Sequence, residues 1–274
     1  MIFKKELKCQ HRHTIKTHRK CFNEDGTLKV VTNNFPKILS LDIETLPILA
    51  YSWDVWDTNI YSERIVKDWC ILSFSAKWLD DNKIISEVLT PKEAVFRDDE
   101  RIVSTLWKLL ERAEIVIGFN SKRFDIKKIN ARFLKYGLHK PSSYKHIDLI
   151  QTARSTFGLT YNKLDFIAEF LDLQRKLETD FDLWKMCDNG DKKALQTMRE
   201  YNEMDVVVQE SLYYKLREWI VFHPNLAVMS KMSDVCPVCL SKNYKEIGLY
   251  TANTKQYKEY RCSCGSIWHN VKSI

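Results

Sequence analysis

Residues 37–45 read KILSLDIET. Up to Leu41 the segment is a short apolar strand, and then two acids arrive one residue apart. On a strand, side chains at i and i+2 share a face. Asp42 and Glu44 therefore project together, with Ile43 on the other side. Two carboxylates at the end of an apolar strand repel each other and lose hydration. A hard divalent cation held between them removes that cost. The plainer reading is a strand end that leaves two solvated acids in water.

The segments that follow supply the neighbours of this strand. WCILSFSAKWL (69–79) and KIISEVL (83–89) read as strands joined by the turn composition Asp80–Asp81–Asn82. DDERIVSTLWKLLERA (98–113) has helical spacing, with Ile102, Leu106, Leu109 and Leu110 on one face. EIVIGFN (114–120) reads as a buried strand and DIKKINARFLKYG (125–137) as a helix stopped by Gly137. HIDLI (146–150) is a further short strand, and helices are expected over 163–171 and from about Asp191 to Trp219. Three strands able to form a meander, then alternating helices and strands, predict an α/β class with a mixed five-stranded sheet and flanking helices. This order resembles that of the ribonuclease-H-like fold. Residues 37–225 are assigned to this domain. Residues 1–36 form a basic, Cys/His-rich N-terminal segment and 234–274 a cysteine-bearing tail. His223–Pro224–Asn225 marks the boundary before the tail.

Two more acidic motifs follow the first. Asn120–Ser121–Lys122–Arg123–Phe124–Asp125 lies between a strand and a helix, where Asp125 serves either as a ligand or as a helix-start acid. Tyr201 and Asp205 stand one helical turn apart in MREYNEMDVVVQESLYYKL. Asp205 directly precedes Val206–Val207–Val208, an unusual place for a solvated acid; the alternative is an exposed Asp beside a packed Tyr. Convergence of Asp42, Glu44, Asp125 and Asp205 would suit a pair of Mg²⁺ or Mn²⁺ ions, as the two-metal route of phosphodiester hydrolysis needs. A tyrosine with its ordinary pKa of about 10 is a poor base at neutral pH, so Tyr201 is expected to position a water.

Taken together, LDIET, NSKRFD and YNEMD resemble the three motifs of the DEDDy family of 3′–5′ exonucleases. These include the proofreading exonucleases of family-B DNA polymerases and stand-alone ribonuclease-H-like exonucleases of bacteria and phages. NKLDFIAEFLDLQRK (162–176) resembles the helix between the second and third motifs. The resemblance covers about residues 37–220. It implies removal of nucleotides from a 3′ end with two divalent metals. Asp42, Glu44, Asp125 and Asp205 would be ligands, with Tyr201 beside the water. Asn120 and Phe124 are then substrate-contact candidates, and Lys122 and Arg123 could hold the nucleic-acid backbone. Tyr51, Trp53, Trp56 and Tyr61 crowd the insert after the first strand, either packing on the core or stacking on bases. Asp148 is either an outer support of the site or a solvated cap.

Six of the eight cysteines are clustered. Cys236-x-x-Cys239 and Cys262-x-Cys264 flank a segment that reads as two strands turning near Ala252–Asn253–Thr254, a zinc-ribbon pattern with an unusual C-x-C second half. His269 is the fallback ligand. Lys255, Tyr257, Lys258, Tyr260 and Arg261 could touch nucleic acid or simply face water. At the N-terminus, Cys9, His13, His18 and Cys21, with His11 nearby, read either as a second zinc site or as a basic arm. Cys70 and Cys187 read as buried small hydrophobes.

A formal net charge of +7 fits a polyanionic partner without requiring one. No apolar run is long enough for a membrane span, and the start lacks the apolar stretch of a secretory signal. A cytoplasmic protein is expected, in the host cytoplasm if the chain is of phage origin. The expected partners are nucleic acid, DNA before RNA, and a replication or repair protein such as a replicative polymerase acting in trans. Three competing readings are an exoribonuclease, a structure-selective endonuclease and a non-catalytic nucleic-acid-binding module. The last should have lost an acid, and none of the four is missing.

Overall fold

The computed structural model describes residues 35–56, 59–79, 81–174 and 179–270. The acid-bearing strand is β1 (Ile38–Leu46). A small two-stranded ribbon, β2 (Leu49–Ala50) and β3 (Ile65–Lys67), carries the insert that follows it. Next come β4 (Cys70–Trp78), β5 (Ile84–Val88), α1 (Pro91–Phe96), α2 (Glu100–Arg112), β6 (Ile115–Gly118), α3 (Asp125–Lys135), β7 (Lys145–Asp148), α4 (Leu149–Thr156), α5 (Leu164–Phe170), α6 (Phe181–Asp188) and α7 (Lys192–Leu216). The chain closes with α8 (Leu226–Met229) and a three-stranded ribbon of β8 (Tyr244–Thr251), β9 (Gln256–Cys262) and β10 (Ile267–His269).

The main sheet has the order β5-β4-β1-β6-β7. β5, β4 and β1 are antiparallel, whereas β1, β6 and β7 are parallel. β1 is thus the central strand, and its alternation sorts side chains to two layers. Leu39, Leu41 and Ile43 join Phe74 and the apolar faces of α2 and α3. Ile38 joins Ile115 and Ile117 with α4, α5 and the C-terminal half of α7. This is the ribonuclease-H-like α/β arrangement that the order of segments predicts.

The helix α7 crosses β1, β4 and β5. Asp191 caps it by accepting from Ala194 N at 2.8 Å. Its inward stripe is Leu195, Met198, Asn202, Asp205, Gln209, Leu212 and Leu216, at helical spacing of three and four. Three of those seven are polar, and they lie over the strip of β1 that carries its polar side chains.

Several local expectations differ from the structure. HIDLI does not run as a strand to 150: β7 ends at Asp148, and Leu149 and Ile150 open α4. Both are buried, and a buried apolar pair has no periodicity that separates strand from helix. The long helix ends at Leu216 and tightens into a 3-10 turn over Arg217–Trp219. Among the described residues the insert aromatics do not pack on the core: Trp53 is 91% and Trp56 85% exposed. At the boundary read before the tail, His223–Pro224–Asn225 makes local bonds. His223 Nε2 lies 2.8 Å from Tyr213 Oη, Asn225 caps α8, and Leu226 N donates to Pro237 O at 2.7 Å. Cys70 and Cys187 are buried, and burial pushes both thiols up to about 12, as inert core cysteines. No described helix is long and apolar enough to cross a membrane.

Candidate active site

The register of β1 against β4 pairs Asp42 with Ser75 and Glu44 with Ser73, and shifts just after Glu44. Ser40, Asp42 and Glu44 share the face that α7 covers. Gln209 donates from Nε2 to Ser40 Oγ at 2.7 Å and to the carbonyls of Leu41 and Ile117 at 3.3 and 3.2 Å. One turn up the helix lies Asp205, and before it Asn202, whose Nδ2 donates to Asp42 Oδ2 at 2.6 Å. Ser73 Oγ donates to Asn202 Oδ1 at 3.4 Å. Carboxylate oxygens of Asp42, Glu44 and Asp205 lie within 4.8 Å of one another. Asp205 is buried; Asp42 and Glu44 are half-buried and open the cluster toward solvent. Tyr201, one turn before Asp205, is half-buried and meets Trp184 edge-on at 6.1 Å between ring centroids.

Asp125 is placed differently. It is the first residue of α3, almost fully buried, and its Oδ1 accepts from Ile43 N at 3.0 Å. That N–H is available because the parallel pairing of β1 with β6 stops at Ser40–Ile117. Asp125 thus closes the open edge of β1 from between the two acids, outside the group of three. Burial pushes its carboxyl up to about 7 despite the bond from Ile43, and the charges of Asp148 and Asp205 act in the same direction.

The loop from β6 to α3 is built on Asp148. Its Oδ1 accepts from Asn120 N at 2.7 Å and its Oδ2 from Lys122 N at 3.0 Å. Asn120 takes a left-handed φ of 62°, which asparagine tolerates. Ser121 Oγ lies 2.8 Å from His146 Nε2. A Cβ on Gly118 would come within 2.0 Å of Ser121 Oγ, so the loop turns back tightly over β6. Asn120 is half-buried; Lys122, Arg123 and Phe124 are exposed on the loop that leads into Asp125. Lys122 Nζ donates to Gln151 Oε1 at 3.0 Å, and Lys128 Nζ sits 5.8 Å from the Phe124 ring.

A second candidate metal group lies in the C-terminal ribbon. Cys236, Cys239, Cys262 and Cys264 gather with sulfurs within 4.8 Å of one another. The Cys236–Cys264 and Cys239–Cys262 sulfurs are 3.8 and 3.5 Å apart. A tetrahedral site with Zn–S of about 2.3 Å has S···S edges of about 3.8 Å, whereas a disulfide would need about 2.05 Å. The C-x-C half works because β9 ends at Cys262 in a tight turn, with Gly265 N donating to Cys262 O at 3.0 Å. Gly265 has φ of 92°, and a Cβ there would meet Glu218 at 1.9 Å. Burial raises Cys239 to about 11. At Cys262 the bonds from Cys264 N and neighbouring thiols overcome burial and lower it to about 7. His269 is not in the group; it stacks on Tyr250 with centroids 4.6 Å apart. Cys9, His13, His18 and Cys21 lie outside the described residues.

Asn202 and Gln209 escape the sequence reading. Their signal was helical spacing with Asp205 on one inward stripe. Asp99 also escapes it: fully buried, it accepts from Ile71 N at 2.8 Å and pairs with Arg132, tying β4 to α2 and α3.

A family model described as the RNase_H superfamily matches residues 67–217. The matched span contains Asp125, Tyr201 and Asp205, and begins after Asp42 and Glu44. Among solved structures, the family B DNA polymerase from the hyperthermophilic archaeon Pyrobaculum calidifontis is similar at a TM-score of 0.51 and 16% identity. The match covers 71% of this chain and 26% of the polymerase chain, and the likeness is one of fold. No curated protein matches the chain in sequence.

Proposed function

The chain belongs to the RNase_H superfamily, and on that premise we propose that it is a metal-dependent nuclease, a 3′–5′ exonuclease acting on single-stranded DNA or a frayed 3′ end. The observation that carries the reading is the meeting of Asp42, Glu44 and Asp205 from β1 and α7 at one opening. Three hard oxygen donors beside a half-exposed entrance fit Mg²⁺ or Mn²⁺ and no soft metal. Asp42, Glu44 and Asp205 would hold the ions, two in number, with Asp125 completing the set from its place at Ile43. When bound, such cations lower the pKa of a water and neutralise charge on the departing oxygen.

The residues of the chain do the rest. Asn202 fixes the rotamer of Asp42 by its 2.6 Å bond, so the ligand does not have to be ordered when substrate arrives. Tyr201 orients a water from the helical turn before Asp205. Asp148 holds the 120–122 loop by its backbone N–H groups; Asn120 would contact the terminal nucleotide, and Lys122 and Arg123 would supply positive charge for the nucleic-acid backbone. Phe124, exposed beside Asp125, offers a ring for the terminal base. The four cysteines fit one Zn²⁺ that closes the ribbon, whose described strands have little core of their own. A replication or repair protein, such as a polymerase, is the proposed protein partner, and the acids are the proposed catalytic and ligand set.

The test uses single-stranded DNA labelled at its 5′ end, Mg²⁺ or Mn²⁺, and an Asp42→Ala/Glu44→Ala variant alongside. The expected result is a ladder shortening from the 3′ end, absent with EDTA and in the variant. Intact DNA, with RNA run in parallel and also intact, overturns the reading.

A further inference from the structure

Phe222 is 93% and Val221 81% exposed on the segment after α7, large apolar groups left in water side by side. With Trp219 they line a cleft of about 370 Å³ that also takes in Lys122, Gln151 and Ser155. Lys122 belongs to the loop that Asp148 holds beside Asp125. This cleft therefore begins at the loop between β6 and α3, the loop that leads into Asp125. Trp219 also lines a second cleft, of about 360 Å³, with Arg261, Gly265 and Ile267 of the four-cysteine ribbon. One tryptophan is shared by both, so the two clefts adjoin.

The ribbon continues the same surface. Arg261, Glu259 and Tyr257 alternate onto one face of β9, and the pairing sets Ile267, His269 and Tyr250 beside them. His269 stacks on Tyr250 with rings 4° from parallel, and Tyr257 lies 5.1 Å from His269. The close approach of Gly265 to Glu218 seats the ribbon against the turn after α7, one residue from Trp219.

We propose that this surface is a track for the nucleotides lying 5′ of the scissile bond, so that the ribbon belongs to the substrate-binding site; the proposal rests on the exonuclease reading above. A single strand presents flat apolar bases and regularly spaced phosphates. Trp219, Phe222 and Tyr250 supply stacking faces, while Lys122 and Arg261 supply cations between them. Asp148 and Glu218 line the same clefts as Lys122 and Arg261, so the exposed rings and the continuity with the 120–125 loop, and not net charge, select a nucleic acid over an apolar protein segment as the occupant.

Length dependence tests it. Single-stranded DNAs of increasing length, from a dinucleotide to a 20-mer, are digested by the full chain and by Phe222→Ala, Arg261→Ala and the double variant. Both positions are exposed, so melting curves should match wild type. In the wild type, kcat/KM rises with length. In the double variant the ratio of the 20-mer value to the dinucleotide value falls about tenfold, the order of one lost base-stacking contact. Equal ratios in all proteins overturn the track. Anisotropy of a labelled 20-mer with Ca²⁺ in place of Mg²⁺ and no chelator, so that metal held by the four cysteines stays bound, separates the two proposals. If nothing is hydrolysed but the double variant binds about tenfold more weakly, the track stands and the exonuclease reading fails. Equal binding overturns the track whatever the activity.

Discussion

Replacing Asp148 by alanine would leave the N–H groups of Asn120 and Lys122 without the carboxylate oxygens that accept them at 2.7 and 3.0 Å. A hydrogen bond to a charged group is worth about 1.5–3 kcal/mol. The Lys122 side of the loop is open to water, which offsets part of the loss, so about 2–4 kcal/mol is expected for the pair. Asparagine at 148 separates geometry from charge. Its amide offers one acceptor oxygen, and its NH₂ would face the other N–H, donor against donor. Asp148→Asn should therefore recover at most one bond and stay well below wild type. Urea unfolding followed by circular dichroism reads the loss as a lower midpoint with unchanged slope. Digestion of single-stranded DNA should show a raised KM in both variants, since the loop carries Asn120, Lys122 and Phe124. Wild-type stability and KM in Asp148→Ala would refute the reasoning: the carboxylate would then not hold the loop.

Three further outcomes follow from the geometry. Asn202→Ala frees the Asp42 rotamer and should weaken the apparent Mg²⁺ affinity about ten- to a hundredfold, read as a shifted midpoint in a Mg²⁺ titration of activity run well below the variant's melting temperature. Burial, with the charge of Lys122, lowers His146 from 6.5 to about 4. Between those values the unfolded histidine binds a proton and the folded one does not. Stability is therefore complete above pH 6.5 and declines by up to about 3 kcal/mol as pH falls toward 4; His146→Phe should flatten this dependence in thermal melts. Stripping metal from the four-cysteine group, or Cys236→Ser/Cys239→Ser, should open β8–β10 to hydrogen exchange while the main sheet stays protected. Protection of β8–β10 without metal would remove the metal from the account of that module.

The sheet was legible because β1, β4 and β6 are apolar strands bounded by turn residues, and their order with α2, α3 and α7 leaves few ways to pair them. What stayed hidden has local causes. Residues 91–96 form a six-residue helix, too short for a periodic signal, held by a capping box between Thr90 and Glu93. β10 is three residues long and exists only because the turn after Cys262 folds it back on β9. Within the site, Asp42, Glu44 and Asp205 announce themselves as acids in apolar surroundings. Asn202 and Gln209 do not, since neutral polar residues on a helix normally face water, and only the polar strip of β1 beneath α7 makes them inward-facing. Asp125 reads as an acid at a helix start, and the structure adds what spacing cannot show, its bond to the backbone between the two acids of β1.

The most direct test of the central claim is the first product released from a single DNA strand labelled at its 3′ end, with Mg²⁺ and sampled before ten per cent of the strand is consumed. The account predicts that the label leaves as a mononucleotide carrying a 5′-phosphate, and only when Asp42, Glu44 and Asp205 are intact. Label appearing first in longer fragments, or release that persists in an Asp205→Asn variant, would contradict it.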